Sequence, residues 1–286
     1  QLISLGNERL SQASLNGTTT LEAKSGYGLS VDSEIKLLES SSEINYSKCN
    51  ILPTWLGAHD FPSEKTREEY IDELISEQLP YIHDNKLAKW VDVFCEPGWY
   101  SLEQTENIVN AAKDLGMKSR LHVDEFSDSN GLSLAADLGS VSADHVGFSN
   151  HDSRAKAHSS GTMQVFLPGT PYVLGKELGE GINDCIENNW NFSLATDFNP
   201  NCQTLSLPFV ASLVTHRIGI DPLAALVACS RNPASTLNSE LHLDVGSIYE
   251  GGPADFNILK SKYIDYWCQT PGVSPISKTF FSGSVV

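Results

Sequence analysis

Short apolar runs rich in β-branched and aromatic residues alternate with segments whose apolar positions recur at helical spacing. The runs predict strands at 18–22, 49–54, 90–94, 119–123, 142–146, 163–167 and 192–196. A helix at 2–15 precedes the first of them. Between them, the pattern predicts a helix at 32–45 opening on an Asp cap. Another is predicted at 66–82, with Tyr70, Ile71, Leu74, Ile75 and Leu79 on one stripe. A third, at 101–115, opens on Ser101 and Gln104 in capping-box spacing and stops at Gly116. Strands alternating with helices imply a parallel sheet with crossover helices.

The pattern changes towards the C-terminus. Helices are predicted at 207–218 and from 222 towards 237. Short strands at 245–252, 254–259 and 278–286 then follow, separated by Gly and Pro turns. The expected fold class is therefore α/β: a (β/α)8 TIM-type barrel over 1–240 that lacks its first strand, with 241–286 forming part of a small β-sandwich subdomain. Seven strands are one short of the eight that close such a barrel. The chain opens on Gln1 and holds only two methionines, Met117 and Met163. We therefore expect a start upstream, carrying the missing strand.

Composition narrows the function. In 286 residues, 19 Lys and Arg stand against 36 Asp and Glu, for a net charge of -17. That balance repels nucleic acid and anionic membrane surfaces and says little about a small substrate, which feels only the local field of its pocket. No apolar run approaches the ~20 residues of a membrane span. The six cysteines, 49, 95, 185, 202, 229 and 268, form no C-x-x-C pair and read as reduced thiols of a cytoplasmic protein.

The residues at the strand ends carry the chemistry. Successive strands run into Lys24-Ser25-Gly26-Tyr27-Gly28, Leu56-Gly57-Ala58-His59, Cys95-Glu96-Pro97-Gly98, His122-Val123-Asp124-Glu125, Asp144-His145 and Asp197-Phe198-Asn199-Pro200. A (β/α)8 enzyme keeps its active site at that end of the barrel. An imidazole that can hold a metal, beside a carboxylate that can take a proton, is the pairing that activates water. Each residue has a plainer reading: His59 as a turn residue, His145 as a core histidine, Asp197 as an Asx turn or cap, Tyr27 as a packing aromatic. His83, His151, His158, His216 and His242 lie off this end and read as ordinary helix or surface residues.

The ordered segments from Gly17 through Lys24-Ser25-Gly26-Tyr27-Gly28, His59, Glu96, His122 to Glu125, Asp144-His145 and Asp197 to Pro200 resemble the imidazolonepropionases, amidohydrolase-superfamily enzymes of histidine breakdown. The resemblance implies hydrolysis of the ring amide of 4-imidazolone-5-propanoate to N-formimidoyl-L-glutamate, with one divalent metal, Zn2+ or Fe2+. It implies His122 and Asp197 as metal ligands and Glu125 and His145 as catalytic residues. Tyr27, His59, Glu125 and Asn199 would contact substrate. A homodimer stays open.

The chain departs from that family in four places. It has neither the His-x-His metal-ligand pair nor the substrate-binding arginine that follows it. Asn201 replaces a Gly, and Val146-Gly147 replaces Leu-Glu. The first two absences fall with the missing strand, so an N-terminally truncated member is expected. Two other functions stay in view: a cyclic-amidine deaminase, and a catalytically inactive fragment.

Overall fold

The structure is a computed structural model that describes residues 1–44, 49–178, 181–237 and 245–286. In chain order the elements are α1 (Leu2–Leu15), β1 (Thr20–Lys24), α2 (Val31–Glu43), β2 (Asn50–Ala58), α3 (Arg67–Glu73), α4 (Leu79–Asp84), β3 (Trp90–Cys95), α5 (Leu102–Asp114), β4 (Lys118–Val123), α6 (Gly131–Asp137), β5 (Ser142–His145), α7 (His151–Ser160) and β6 (Met163–Phe166). They continue with α8 (Gly169–Val173), α9 (Gly181–Glu187), β7 (Phe192–Leu194), α10 (Leu207–Arg217), α11 (Pro222–Cys229), α12 (Arg231–Ser235), β8 (Phe256–Leu259), β9 (Ile276–Phe281) and β10 (Ser284–Val285).

All seven expected strands are present. They are parallel and hydrogen-bond in the order β1-β2-β3-β4-β5-β6-β7, the connectivity of a (β/α) barrel sheet; no eighth strand joins them among the described residues. A separate three-stranded antiparallel sheet has the order β10-β9-β8. The chain divides into two compact units. One holds Gln1–Gly6, Glu22–Asn45 and Ile51–Gln164; the other holds Asn7–Leu21, Tyr46–Asn50 and Val165–Val286.

In the first unit, β3 is buried along its whole length, which explains its Val- and Phe-rich run. Its register with β4 sets Asp92 opposite Arg120 and Phe94 opposite His122; β4 in turn sets His122 opposite Asp144 on β5. The helix expected at 66–82 is interrupted by a π-helical turn, Leu74–Gln78. Pro80, the second residue of α4, cannot donate to the preceding turn, so the ladder widens there. The turn places Gln78 in the core, where its Oε1 accepts Trp55 Nε1–H at 3.1 Å.

In the second unit, α10 caps on Ser206, whose hydroxyl accepts Phe209 N–H. The helix expected from 222 towards 237 breaks at Ser230, which leaves helical backbone at φ -130°. Pro233 cannot extend α11 across that point, and α12 restarts beyond it. The small sheet is pinned by stacked Phe256 and Phe280 at 4.6 Å and by Thr279 Oγ1, which donates to Ser14 O. The strand expected at 245–252 does not form. Gly246 there has φ +84°, and a Cβ on it would meet Ala234 Cβ at 2.5 Å, so the chain turns rather than extends. The part of the 241–286 expectation at 241–244, including His242, lies outside the described residues. No described helix is long and apolar enough to cross a membrane.

Candidate active site

Charged residues of β1, β3, β4 and β5 pack against one another inside the first unit. Lys24 Nζ lies 2.7 Å from Asp92 Oδ2, 3.1 Å from Asp144 Oδ2 and 3.1 Å from Glu22 Oε1. Arg120 donates to Ser142 Oγ at 3.0 Å, approaches Glu22 at 3.4 Å and lies over the Trp90 ring. Ser142 Oγ donates to Asp144 at 2.9 Å. Barrel interiors are usually filled by branched apolar side chains. Here a paired ionic layer takes their place, and it sits beneath the strand ends.

His122 rests on that layer. Its Nδ1 lies 3.1 Å from Asp92 Oδ1 and 3.0 Å from Oδ2. An ionised carboxylate only accepts, so Nδ1 carries the hydrogen. No hydrogen bond to Nε2 occurs among the described residues. Burial disfavours the imidazolium, yet the adjoining Asp92 charge outweighs it and raises the His122 pKa to about 9. Burial would likewise raise Asp92, but His122 and Lys24 hold it well below the usual carboxylate range. Lys24 is held above the ordinary lysine range: burial opposes its charge, and Asp144, Asp92 and Glu22 override that.

Ligand atoms of Asp92, His122 and Asp144 lie within 4.8 Å of one another, close enough to hold a metal. The Lys24 ammonium already stands between the two carboxylates. A divalent ion at the same point would meet a fixed positive charge at contact distance. These carboxylates therefore serve the lysine and the back of His122, leaving Nε2 as the nitrogen suited to a metal.

Beyond β4, Asp124 takes φ +51°. Its carboxylate accepts Ser129 N–H and Oγ–H, Gly131 N–H, Leu132 N–H and Ser149 Oγ–H, at 2.6 to 3.2 Å. Asp124 is thus the organiser of the loop into α6. Glu125 follows, half-buried, with Oε2 at 3.5 Å from His145 Nε2. The rings of His122 and His145 are 5.3 Å apart. His145 and Val146 both have left-handed backbone, φ +74° and +50°. Such positions cost ~1–3 kcal/mol each and collect at functional sites.

A ring ladder flanks this group. Tyr27, 61% exposed, lies 4.9 Å from His59; His59 stacks on Phe94 at 5.5 Å, and Phe94 meets His122 edge-on at 5.8 Å. The Tyr27 loop is held by one buried carboxylate. Glu34 accepts the N–H groups of Gly26, Gly28 and Leu29. Gly28 has no room for a side chain: a Cβ would fall 2.7 Å from Glu34 N.

The structure thus brings His122, Glu125, His145, His59 and Tyr27 into one contiguous group in the first unit. Asp197 and Asn199 lie in the second unit, just past β7. Asp197, φ +50°, accepts the Thr170 hydroxyl on Oδ2. Asn199 braces the same loop: Nδ2 donates to Asp197 O at 2.9 Å and to Thr170 Oγ1 at 3.3 Å, and Oδ1 accepts Asn201 and Cys202 N–H. Lys24, Asp92, Glu96 and Asp124 were not expected as site residues. A charged residue amid the buried run of β3 is the signal that could have found Asp92.

No family model matches the chain. It is similar along nearly its whole length to curated proteins named imidazolonepropionase. That of Symbiobacterium thermophilum is 38% identical over 266 residues, covering 91% of this chain and 62% of that protein. That of Herpetosiphon aurantiacus is 35% identical over 298 residues, covering 98% of this chain and 68% of that protein. The chain therefore spans about two thirds of the length of the curated relatives it matches. Among solved structures it is similar to the 5-methylcytosine deaminase from Klebsiella pneumoniae, at TM-score 0.77 and 13% identity, covering 99% of this chain and 74% of that one.

Proposed function

Because the chain belongs to the imidazolonepropionase family, we propose that it takes part in the metal-dependent hydrolysis of 4-imidazolone-5-propanoate to N-formimidoyl-L-glutamate. The observation that carries this reading is the pairing of Glu125 with His145, next to a His122 whose Nδ1 is fixed by Asp92.

His122 Nε2 would be a ligand of a divalent metal, and an imidazole donor suits Zn2+ or Fe2+; Asp197 is proposed as a metal ligand on the resemblance to the family alone. The bound ion would polarise the ring carbonyl and bring a water's pKa towards neutrality. Glu125 accepts the proton of the attacking water as its oxygen bonds the ring carbonyl carbon. It then delivers that proton to the ring nitrogen as the C–N bond breaks, leaving a carboxylate and a formimidoyl nitrogen. His145, within reach of Glu125, stabilises the charge developing on the carbonyl oxygen. Tyr27 and His59 supply ring faces for the planar substrate, and Asn199 braces the Asp197 loop.

The net charge of -17 favours a small substrate over nucleic acid, and six buried free thiols favour a reducing compartment such as the cytoplasm. Product analysis of the metal-loaded protein with imidazolone propionate tests the proposal. Formimidoyl-glutamate without ammonia supports it. Ammonia released from an amino-substituted ring, with imidazolone propionate left intact, would assign the site to deamination instead.

A further inference from the structure

Resting on the reading of Glu125 as the proton-carrying group, we infer that Glu96 is the residue that positions it, by holding the Glu125 main chain through a carboxylate–amide hydrogen bond. Glu96 follows β3 directly and is only 2% exposed. Its Oε1 accepts the N–H of Glu125. Its Oε2 is buried and has no hydrogen-bond partner in the structure. A buried carboxylate spent on the main chain at the catalytic position is costly unless that contact does something.

The segment bearing Glu96 is built to be rigid. Glu96 O accepts Trp99 N–H at 2.9 Å, closing a turn, and Tyr100 N–H returns to Phe94 O at 3.3 Å. The Arg67 guanidinium grips both Gly98 O and Trp99 O. Ser101 and Gln104 then lock the start of α5 in a reciprocal capping box. Glu96 therefore projects from a fixed base onto the loop after β4. Asp124 fixes that loop from its far side, through the amides of 129, 131 and 132. Between these anchors, Glu125 has little freedom to swing from His145. Such support is what a general base needs, since a displacement of about 1 Å can cost ~100-fold in rate.

Glu96→Ala tests the assignment by two readouts on the full protein. In the parent, the Glu125 amide proton should resonate far downfield and exchange slowly, as expected of a charge-assisted hydrogen bond. In Glu96→Ala that signal should move upfield and exchange at least about tenfold faster, and kcat/KM should fall about 10- to 100-fold with metal content unchanged. Glu96→Gln, which keeps an oxygen acceptor, should restore most of the activity. If Glu96→Ala does not fold, Glu96→Asp gives the same comparison with the carboxylate withdrawn by one methylene. An unchanged Glu125 amide, or unchanged turnover in a variant whose parent is active, would overturn the inference. Absence of turnover in the parent would count against the proposed reaction, while the amide signal would still decide the role of Glu96.

Discussion

Asp92 and His122 stand on adjacent parallel strands, and the carboxylate meets imidazole Nδ1 at 3.0 to 3.1 Å. This contact decides which nitrogen of His122 is presented at the strand ends. It also ties the candidate metal ligand to the buried Lys24, through the second Asp92 contact at 2.7 Å.

Asp92→Asn should therefore act twice. It takes the carboxylate from His122 Nδ1 and leaves Lys24 only Asp144 and Glu22, so unfolding free energy should drop by roughly 3–5 kcal/mol. It also frees the ring to adopt the other tautomer, so zinc affinity should weaken about 10- to 100-fold. Chemical denaturation and competitive zinc titration measure the two effects separately. Loss of stability with unchanged zinc affinity would remove His122 as a ligand.

Asp124 is a structural device rather than a reactive group. Its carboxylate collects five hydrogen bonds from the loop into α6 and from Ser149. Asp124→Ala orphans buried amides and should cost at least about 2 kcal/mol. Amide exchange across residues 125 to 132 should quicken more than in β3. Asp124→Asn, which keeps one acceptor oxygen, should lie between the two.

Glu96 gives the fold a pH dependence. Burial raises its pKa from 4.5 to about 7, partly offset by the amides it accepts. An unfolded chain releases this proton near 4.5, so between those values the folded state binds more protons than the unfolded one. Stability contributed by this residue is thus unaffected below about 4.5 and declines as pH rises to about 7, by ~1–3 kcal/mol in total. Glu96→Gln should flatten the stability profile over that window; denaturant midpoints from pH 4 to 8 measure the slope. An equal slope in parent and variant would place the titration elsewhere.

Much of this architecture is legible in the linear pattern. Strands such as β3 read clearly because burial on both faces demands an unbroken apolar run. The capping box at Ser101 marks its helix from local spacing alone. Local spacing does not reveal the ionic layer, because Lys24 and Asp92 are 68 residues apart and meet only through strand order. Asp124 and His145 are adjacent to the chemistry in sequence, yet their left-handed backbone depends on the loops around them. The π turn at Leu74–Gln78 arises from Pro80 and from the Trp55–Gln78 bond, a contact made across 23 residues. His122, Glu125 and His145 stand out because they lie at or just past the ends of their strands; Glu96 shares that place but passes as a turn residue until its partner is seen.

The most direct test is turnover by the metal-loaded protein before and after Glu125→Gln, followed by the ultraviolet absorbance of 4-imidazolone-5-propanoate. The absorbance should decay with formation of N-formimidoyl-L-glutamate. Glu125→Gln should slow that decay by about 100- to 10,000-fold at unchanged metal content. Decay at the parent rate in Glu125→Gln, or no decay with a parent protein that holds its metal, would contradict this mechanism.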